Sequence, residues 1–169
     1  MSESSLAAQI AFREGMSRLG AAVNLITTDG PAGRSGMTAT AVCSVTDAPP
    51  TLLVCVNQGA RSHDLFIENG VLCVNVLAEG QEGLASRFAR ANEEDRFAGT
   101  VWAKGITGVP LLPDALTAFE CKIVDKLMRG THSVFVCEVV STLNGPAQPG
   151  LVWFGRRYHA VPPPEQSQP

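Results

Sequence analysis

Apolar and polar positions recur along this chain with two periods, and the places where the period changes mark its elements. Phe12, Met16 and Leu19 fall at i, i+4 and i+7, with Arg13, Glu14 and Arg18 between them. That spacing predicts one amphipathic helix ending at Gly20. "AVNLITT" follows as a β-rich run closed by the turn "DGPAGRSG". "SGMTATAVCSV", Ser35 to Val45, reads as one strand by its threonine and valine content. "DAPP" ends it, because proline cannot donate to a ladder. "TLLVCVN" and "VLCVNVL" are continuous apolar runs and predict buried strands. Between them Ser62 is placed to cap a short helix, with Leu65 and Phe66 inward and Asn69-Gly70 as its stop. Gln81, Leu84, Ala85, Phe88 and Ala89 keep helical spacing, so residues 81–90 predict a further helix. Ala118 to Asp125, Ser133 to Thr142 and Leu151 to Ala160 predict later strands. Residues 162–169, "PPPEQSQP", predict a flexible tail.

Consecutive strands joined by brief turns argue for a mainly β protein, an antiparallel sheet or barrel with short helical inserts. There is no regular βαβ alternation and no internal repeat. One domain over residues 1–161 accounts for the pattern.

Composition narrows this. Apolar residues make up 45% of the 169 and charged residues 17%, so the chain can bury a core and is not a disordered one. So few charges imply that a partner or a second copy covers some apolar surface. Thirteen basic and sixteen acidic residues give a formal charge of −3 with no basic patch, which argues against nucleic acid as a partner. Cys43, Cys55, Cys73, Cys121 and Cys137 are odd in number and lack C-x-x-C spacing, as expected of reduced core thiols in a cytoplasmic protein, with a catalytic thiol as the lesser alternative. "MSESSLAAQIAFREG" does not read as a secretory signal. The longest apolar run, Leu52 to Val56, is far too short to cross a bilayer.

Missing motifs exclude further chemistry. Gly30, Gly33 and Gly36 do not form G-x-G-x-x-G, and no predicted helix follows them. Walker, H-E-x-x-H, zinc-ligand and G-x-S-x-G patterns are absent, and His63, His132 and His159 are scattered. No metal site is expected.

The centre of Ser35–Val45 has almost no bulk. Small residues at Thr38, Ala39, Thr40 and Ala41 would let a flat object lie close to the backbone, with threonine hydroxyls adding directional bonds. The same alternation is ordinary in a half-exposed strand, and both readings stand at this point. The wider stretch "GMTATAVCSVTDAPPTLLVCVNQGARSHDLFIENGVLCVNVL" resembles the flavin reductase family. A G-x-T-A-[ST] strand, an S-V-[ST] segment, a P-P turn, a strand ending in Asn, a Ser/Arg loop and a "VN-x-L" strand occur in the family's order. "GQEGLASRFA", "GTHSVFVCEV" and "GLVWFGRRYHAV" extend the likeness over roughly residues 10–161.

The resemblance implies an FMN-binding split β-barrel, a Greek-key antiparallel barrel forming a homodimer. It implies hydride transfer from NADH to FMN, with NADPH and FAD as the open alternatives. Reduced flavin would pass to a partner monooxygenase, in pyrimidine-ring degradation or another hydroxylase system. A non-catalytic FMN-binding protein on the same barrel is the competing reading. By the same resemblance Thr38, Ala39, Thr40, Ala41 and Val42 line the flavin ring, with Ser44 and Thr46 near the ribityl chain. Asn57, Arg61 and Ser62 meet the phosphate. Gln81, Phe88 and Arg90 belong to a helix closing over the phosphate or ribityl group. Asn75 needs a partner, either backbone or flavin. His132 lies on the nicotinamide side, and Tyr158 lies near the flavin or the dimer seam. Arg129, Arg156 and Arg157 are candidates for a 2′-phosphate.

Overall fold

The computed structural model describes residues 3–90 and 96–163. Twelve strands and three helices make up these residues. The helices are α1 (Glu3–Ser17), α2 (His63–Asn69) and α3 (Glu82–Arg90). The strands begin with β1 (Ala21–Ala22), β2 (Asn24–Thr28), β3 (Ser35–Ala39), β4 (Val42–Asp47), β5 (Pro50–Asn57) and β6 (Val71–Val76). Two short ones follow, β7 (Ala103–Lys104) and β8 (Pro110–Leu111), which the sequence pattern did not announce. The long pair β9 (Thr117–Arg129) and β10 (His132–Asn144) and the hairpin β11 (Gly150–Phe154) and β12 (Arg157–Val161) complete the set.

Seven strands form one antiparallel sheet in the order β3-β2-β6-β9-β10-β5-β4. β3 and β4 are neighbours in sequence, yet they occupy opposite edges. Only Thr40 and Ala41 join them, so the sheet must roll until its two edges nearly meet. No ladder runs from β3 to β4 among the described residues, and the hydrogen-bonded ring is open there. Irregular register at Val136/Cys137 and Val139/Ser141 lets the long β9–β10 pair bend round the curl.

The core has two main parts, which β2 separates, and a smaller cluster of Cys73, Val109, Leu111 and Ala118. Successive side chains of a strand point to opposite faces. Ile26 packs inside the curl with Val54, Val56, Phe66, Leu72, Val74 and Phe135. Leu25 packs on the other face with Leu77, Ala85, Phe88 and Leu151. All five residues of β2 are therefore buried. Its polar members are satisfied: Thr27 Oγ1 donates to Pro110 O at 2.6 Å and Thr28 Oγ1 to Val71 O at 2.7 Å. Asn75, which needed a partner, has three in the protein. Its amide donates to Leu25 O at 3.2 Å and to Thr27 Oγ1 at 3.1 Å, and its carbonyl accepts from Leu112 N at 2.8 Å.

Several expectations change. The predicted single strand from Ser35 to Val45 is two strands, because the small residues at its middle let the chain leave one edge and join the other. Leu151–Ala160 is a hairpin, turning at Gly155 and Arg156, both at positive φ (57° and 62°). Ser62 precedes α2 but makes no side-chain cap bond, whereas Gly70 stops α2 as expected, with its N–H bonded to Phe66 O. The first helix ends at Ser17 and not at Gly20, and its apolar face is uncovered: Phe12 is 68% exposed. The tail expected at 162–169 lies, from residue 164 on, outside the described residues.

Candidate functional site

The link Thr40–Ala41 and the start of β4 form one wall of a groove of ≈ 750 Å³, within the roughly 300–1,000 Å³ usual for small-molecule sites. Both linker residues are exposed. The linker is held at both ends: Val42 N donates to Thr40 O and Cys55 N to Ala41 O, each at 3.0 Å. Cys43, Leu53 and Cys55 continue the wall. The opposite side is α1, through Phe12, Met16 and Leu19, and Trp153 of β11 also faces the space. Arg13 and Arg156 bring positive charge to it, and Arg156 Nη2 donates to Glu14 Oε2 at 3.0 Å. Such a groove suits a flat guest with a polar edge and an anionic tail. It has backbone at close range on one side, apolar surface on the other, and cations at its rim.

A smaller cavity of ≈ 270 Å³ adjoins it behind the same wall. Thr38, Ala39 and Thr40 line it together with Ser86 and Arg90 of α3 and Trp153 and Tyr158 of the terminal hairpin. Tyr158 stands edge-on to Trp153 with ring centroids 4.8 Å apart. Thr38 has a structural bond as well, its hydroxyl donating to Ala85 O at 2.6 Å and fixing α3 to β3.

Asn57, Arg61, Ser62 and His132 gather at the far end of β5. Asn57 stands opposite His132 in the β5–β10 ladder, and Gln58 Nε2 donates to His132 O at 3.2 Å. Asn57 and His132 follow Cys55 and Val134 along the outward face of these strands, so this corner continues the groove wall. Asn57 Oδ1 accepts from Gly59 N at 2.8 Å and sets the turn. His132 is exposed, with its Nδ1 3.0 Å from Thr131 Oγ1. The corner is braced from behind by His63. Its Nδ1 lies 2.7 Å from Asp64 Oδ1 and its Nε2 lies 2.9 Å from Ser133 Oγ. Burial of Ser133, which is 0% exposed, leaves that hydroxyl no access to a substrate.

Five expected site residues are not open to the groove: Ser62 is 1% exposed, so its hydroxyl has no access to a ligand, and Phe88, Gln81, Ser44 and Thr46 lie elsewhere. Phe88 is 1% exposed and packs on Phe97 and Trp102, with centroids 5.0 and 5.6 Å away. Its ring also explains Gly36, where a Cβ would meet Phe88 Cε1 at 2.8 Å. Gln81 serves the start of α3: its carbonyl accepts from Ala78 N at 2.9 Å and its amide donates to Asp114 O at 3.1 Å. Ser44 turns away from the groove into an apolar cavity of ≈ 350 Å³ with Thr46, Leu52, Val74 and Phe119, because alternation along β4 sends it opposite to Cys43. Conversely, Trp153, Arg13, Cys43 and Cys55 line the groove without having been singled out for it. Only the long-range meeting of β11, α1 and the β4–β5 pair reveals them.

Residues 16–162 match the Flavin reductase like domain family. The chain belongs to that family. A curated relative, the FMN reductase (NADH) RutF of Pseudomonas syringae pv. syringae, is 55% identical over 155 residues, covering 91% of this chain and 87% of its own length. Among solved structures, BorF is the flavin reductase component of a bacterial two-component tryptophan halogenase. It superposes with a TM-score of 0.84 at 31% identity, covering 91% of this chain and 98% of its own. The Streptomyces globisporus C-1027 NADH:FAD oxidoreductase SgcE6, solved with NAD and FAD fragments, has a TM-score of 0.86 at 30% identity, covering 94% and 95%. No helix among the described residues is long and apolar enough to cross a membrane.

Proposed function

We infer that the chain is an NADH:FMN oxidoreductase whose reduced flavin is delivered to a separate monooxygenase, the likeness to RutF favouring one of pyrimidine-ring degradation. The observation that carries this reading is the groove itself, with its small-residue wall at Thr40–Val42, Trp153 opposite and cations at its end. In this reading the open seam between β3 and β4 makes the curled sheet a Greek-key split barrel. The uncovered face of α1, with Phe12 and Met16, is the seam of a homodimer, which would close the groove from outside.

FMN, when bound, supplies the hydride acceptor. The chain's own residues supply place and surroundings. Thr38 to Val42 let the ring lie against backbone. Trp153 and the apolar side chains of α1 keep water from its face. Asn57, at the end of the same outward face, and the exposed Arg61 in the loop after it receive the phosphate, with Arg90 and Tyr158 closing the far side. His132, level with Asn57, orients the nicotinamide. Hydride transfer asks for alignment and a dry face more than for an acid–base pair, which agrees with a groove lined by few titratable groups.

Purified protein should oxidise NADH in an anaerobic cuvette only when FMN is supplied. No flavin-dependent loss of NADH overturns the proposal, and FMN held tightly but inert to NADH would favour a flavin-binding protein without catalysis. The same assay run with FAD and with NADPH ranks the alternatives. His132→Ala should raise the apparent KM for NADH more than that for FMN, and the reverse pattern removes His132 from the nicotinamide side.

A further inference from the structure

The groove wall carries two thiols. Cys43 is exposed on β4 and Cys55 half-exposed on β5, and both face the same space beside Thr40–Val42. Cys43 stands opposite Leu53 in the ladder, while Cys55 N donates to Ala41 O, so the cysteines are diagonal neighbours on one face. Such neighbours have Cα atoms about 7–8 Å apart and Cβ atoms somewhat closer. Burial and then the nearby Cys43 push the Cys55 thiol up. The other three thiols are different. Cys73, Cys121 and Cys137 are 0% exposed. Burial pushes all three up, Cys137 to about 12, which leaves them inert.

We propose that Cys43 and Cys55 form a redox modification site in the groove, closed to a disulfide by hydrogen peroxide and reopened by a thiol reductant. The Cys43 thiolate attacks one peroxide oxygen, the O–O bond breaks, and the leaving hydroxide is protonated to water. Cys43 is then a sulfenic acid. Cys55 attacks its sulfur, the S–O bond breaks, and the hydroxyl leaves as a second water with the thiol proton. Two thiols and one peroxide give one disulfide and two waters.

A disulfide wants Cβ atoms about 3.5–4.5 Å apart, so one strand must move. β4 can do so, because it is an edge strand and its register is already irregular between Ser44 and Thr46, just beyond Cys43. Its movement drags Ala41 and Val42, which are the wall. The oxidant has a source in the proposed activity: reduced flavin that meets dioxygen before its oxygenase yields oxidised flavin and hydrogen peroxide. A groove that admits a flavin admits peroxide. The link from thiol state to turnover therefore rests on the groove being the flavin site, whereas bond formation itself does not.

The test exploits the sequence, since no Lys or Arg lies between Ser35 and Arg61 and trypsin releases both cysteines on one peptide. Full-length protein without flavin is treated with hydrogen peroxide and mapped by mass spectrometry. The expected result is loss of two of the five thiols. Peptide 35–61 should be lighter by two hydrogens, its halves held together after a second cut before Asp47 and freed by dithiothreitol. Cys43→Ser and Cys55→Ser should each abolish the link. An unlinked peptide, Cys43 joined to another chain, or Cys43 carried on to sulfinic acid overturns the proposal. Turnover of NADH with FMN should fall about 100-fold on oxidation, the scale of a ~1 Å misplacement, and return on reduction. Each variant, compared with its own untreated sample, should lose none of its activity through this route. A complete link with unchanged turnover refutes the blocking role. If the reduced protein shows no turnover at all, the reductase assignment fails, and the peptide map still decides the thiol pair.

Discussion

Two helices of this protein carry apolar residues at helical spacing, and they meet different fates. α3 buries Ala85 and Phe88 to 0% and 1% exposure against β2, β3 and the ring of Phe97. α1 leaves Leu6, Ile10, Phe12 and Met16 between 47% and 68% exposed. α3 is also pinned in its middle, by the Thr38 hydroxyl on Ala85 O. α1 is tied near its end, where Gly155 N donates to Ser17 O at 2.7 Å and Arg156 meets Glu14. Periodicity states that a face is to be covered. It does not state whether the cover is the same chain, a second copy or a guest. One helix is cemented into the core, and the other forms a wall of the groove.

Substitutions sharpen the contrast. Phe88→Ala should cost about 3–5 kcal/mol of stability through the cavity it leaves, read as a lowered urea midpoint. A loss under about 1 kcal/mol would mean α3 is not part of the core. Phe12→Ala should leave protomer stability nearly unchanged and weaken self-association by about 1.5–3 kcal/mol, read by sedimentation. An unchanged association constant removes this face from the proposed dimer seam. Thr38→Val should cost roughly 0.5–1.5 kcal/mol by removing the hydroxyl's bond to Ala85 O, read by thermal unfolding. No change in Tm would show that α3 holds its place by packing alone.

The strands TLLVCVN and VLCVNVL were legible because continuous apolar runs describe strands covered on both faces, and α3 was legible from its spacing. The break at Thr40–Ala41 was not. Its residues suit a strand, and only the closing of a seven-stranded curl makes the chain change edges there. The hairpin at Gly155–Arg156 was hidden for a related reason, since a single glycine among aromatic residues is a weak turn signal. Within the candidate site, ordered motifs pointed to the small-residue stretch that lines the groove and to Asn57 and His132, which pair at one corner. Trp153 and Arg13 were not, because they reach the groove from elements more than a hundred residues apart. Phe88 fitted both a core and a ligand-facing helix by its spacing alone, and the glycine at Gly36, which clears space for its ring, is what marks it as core.

In the proposed reading, the two-residue strap from β3 to β4 would perform two duties at once: it would bear the guest's weight, and it spans the gap between the sheet's margins. Occupancy and closure of that gap would then be a single equilibrium seen from two ends. Whatever steadies the margins tightens the hold on the guest by an equal amount, and a tighter hold delays departure of a molecule whose purpose is to leave. A lasting staple across that gap would thus hinder a carrier of diffusible cargo, which gives a physical reason for the ladder to stop short of closing.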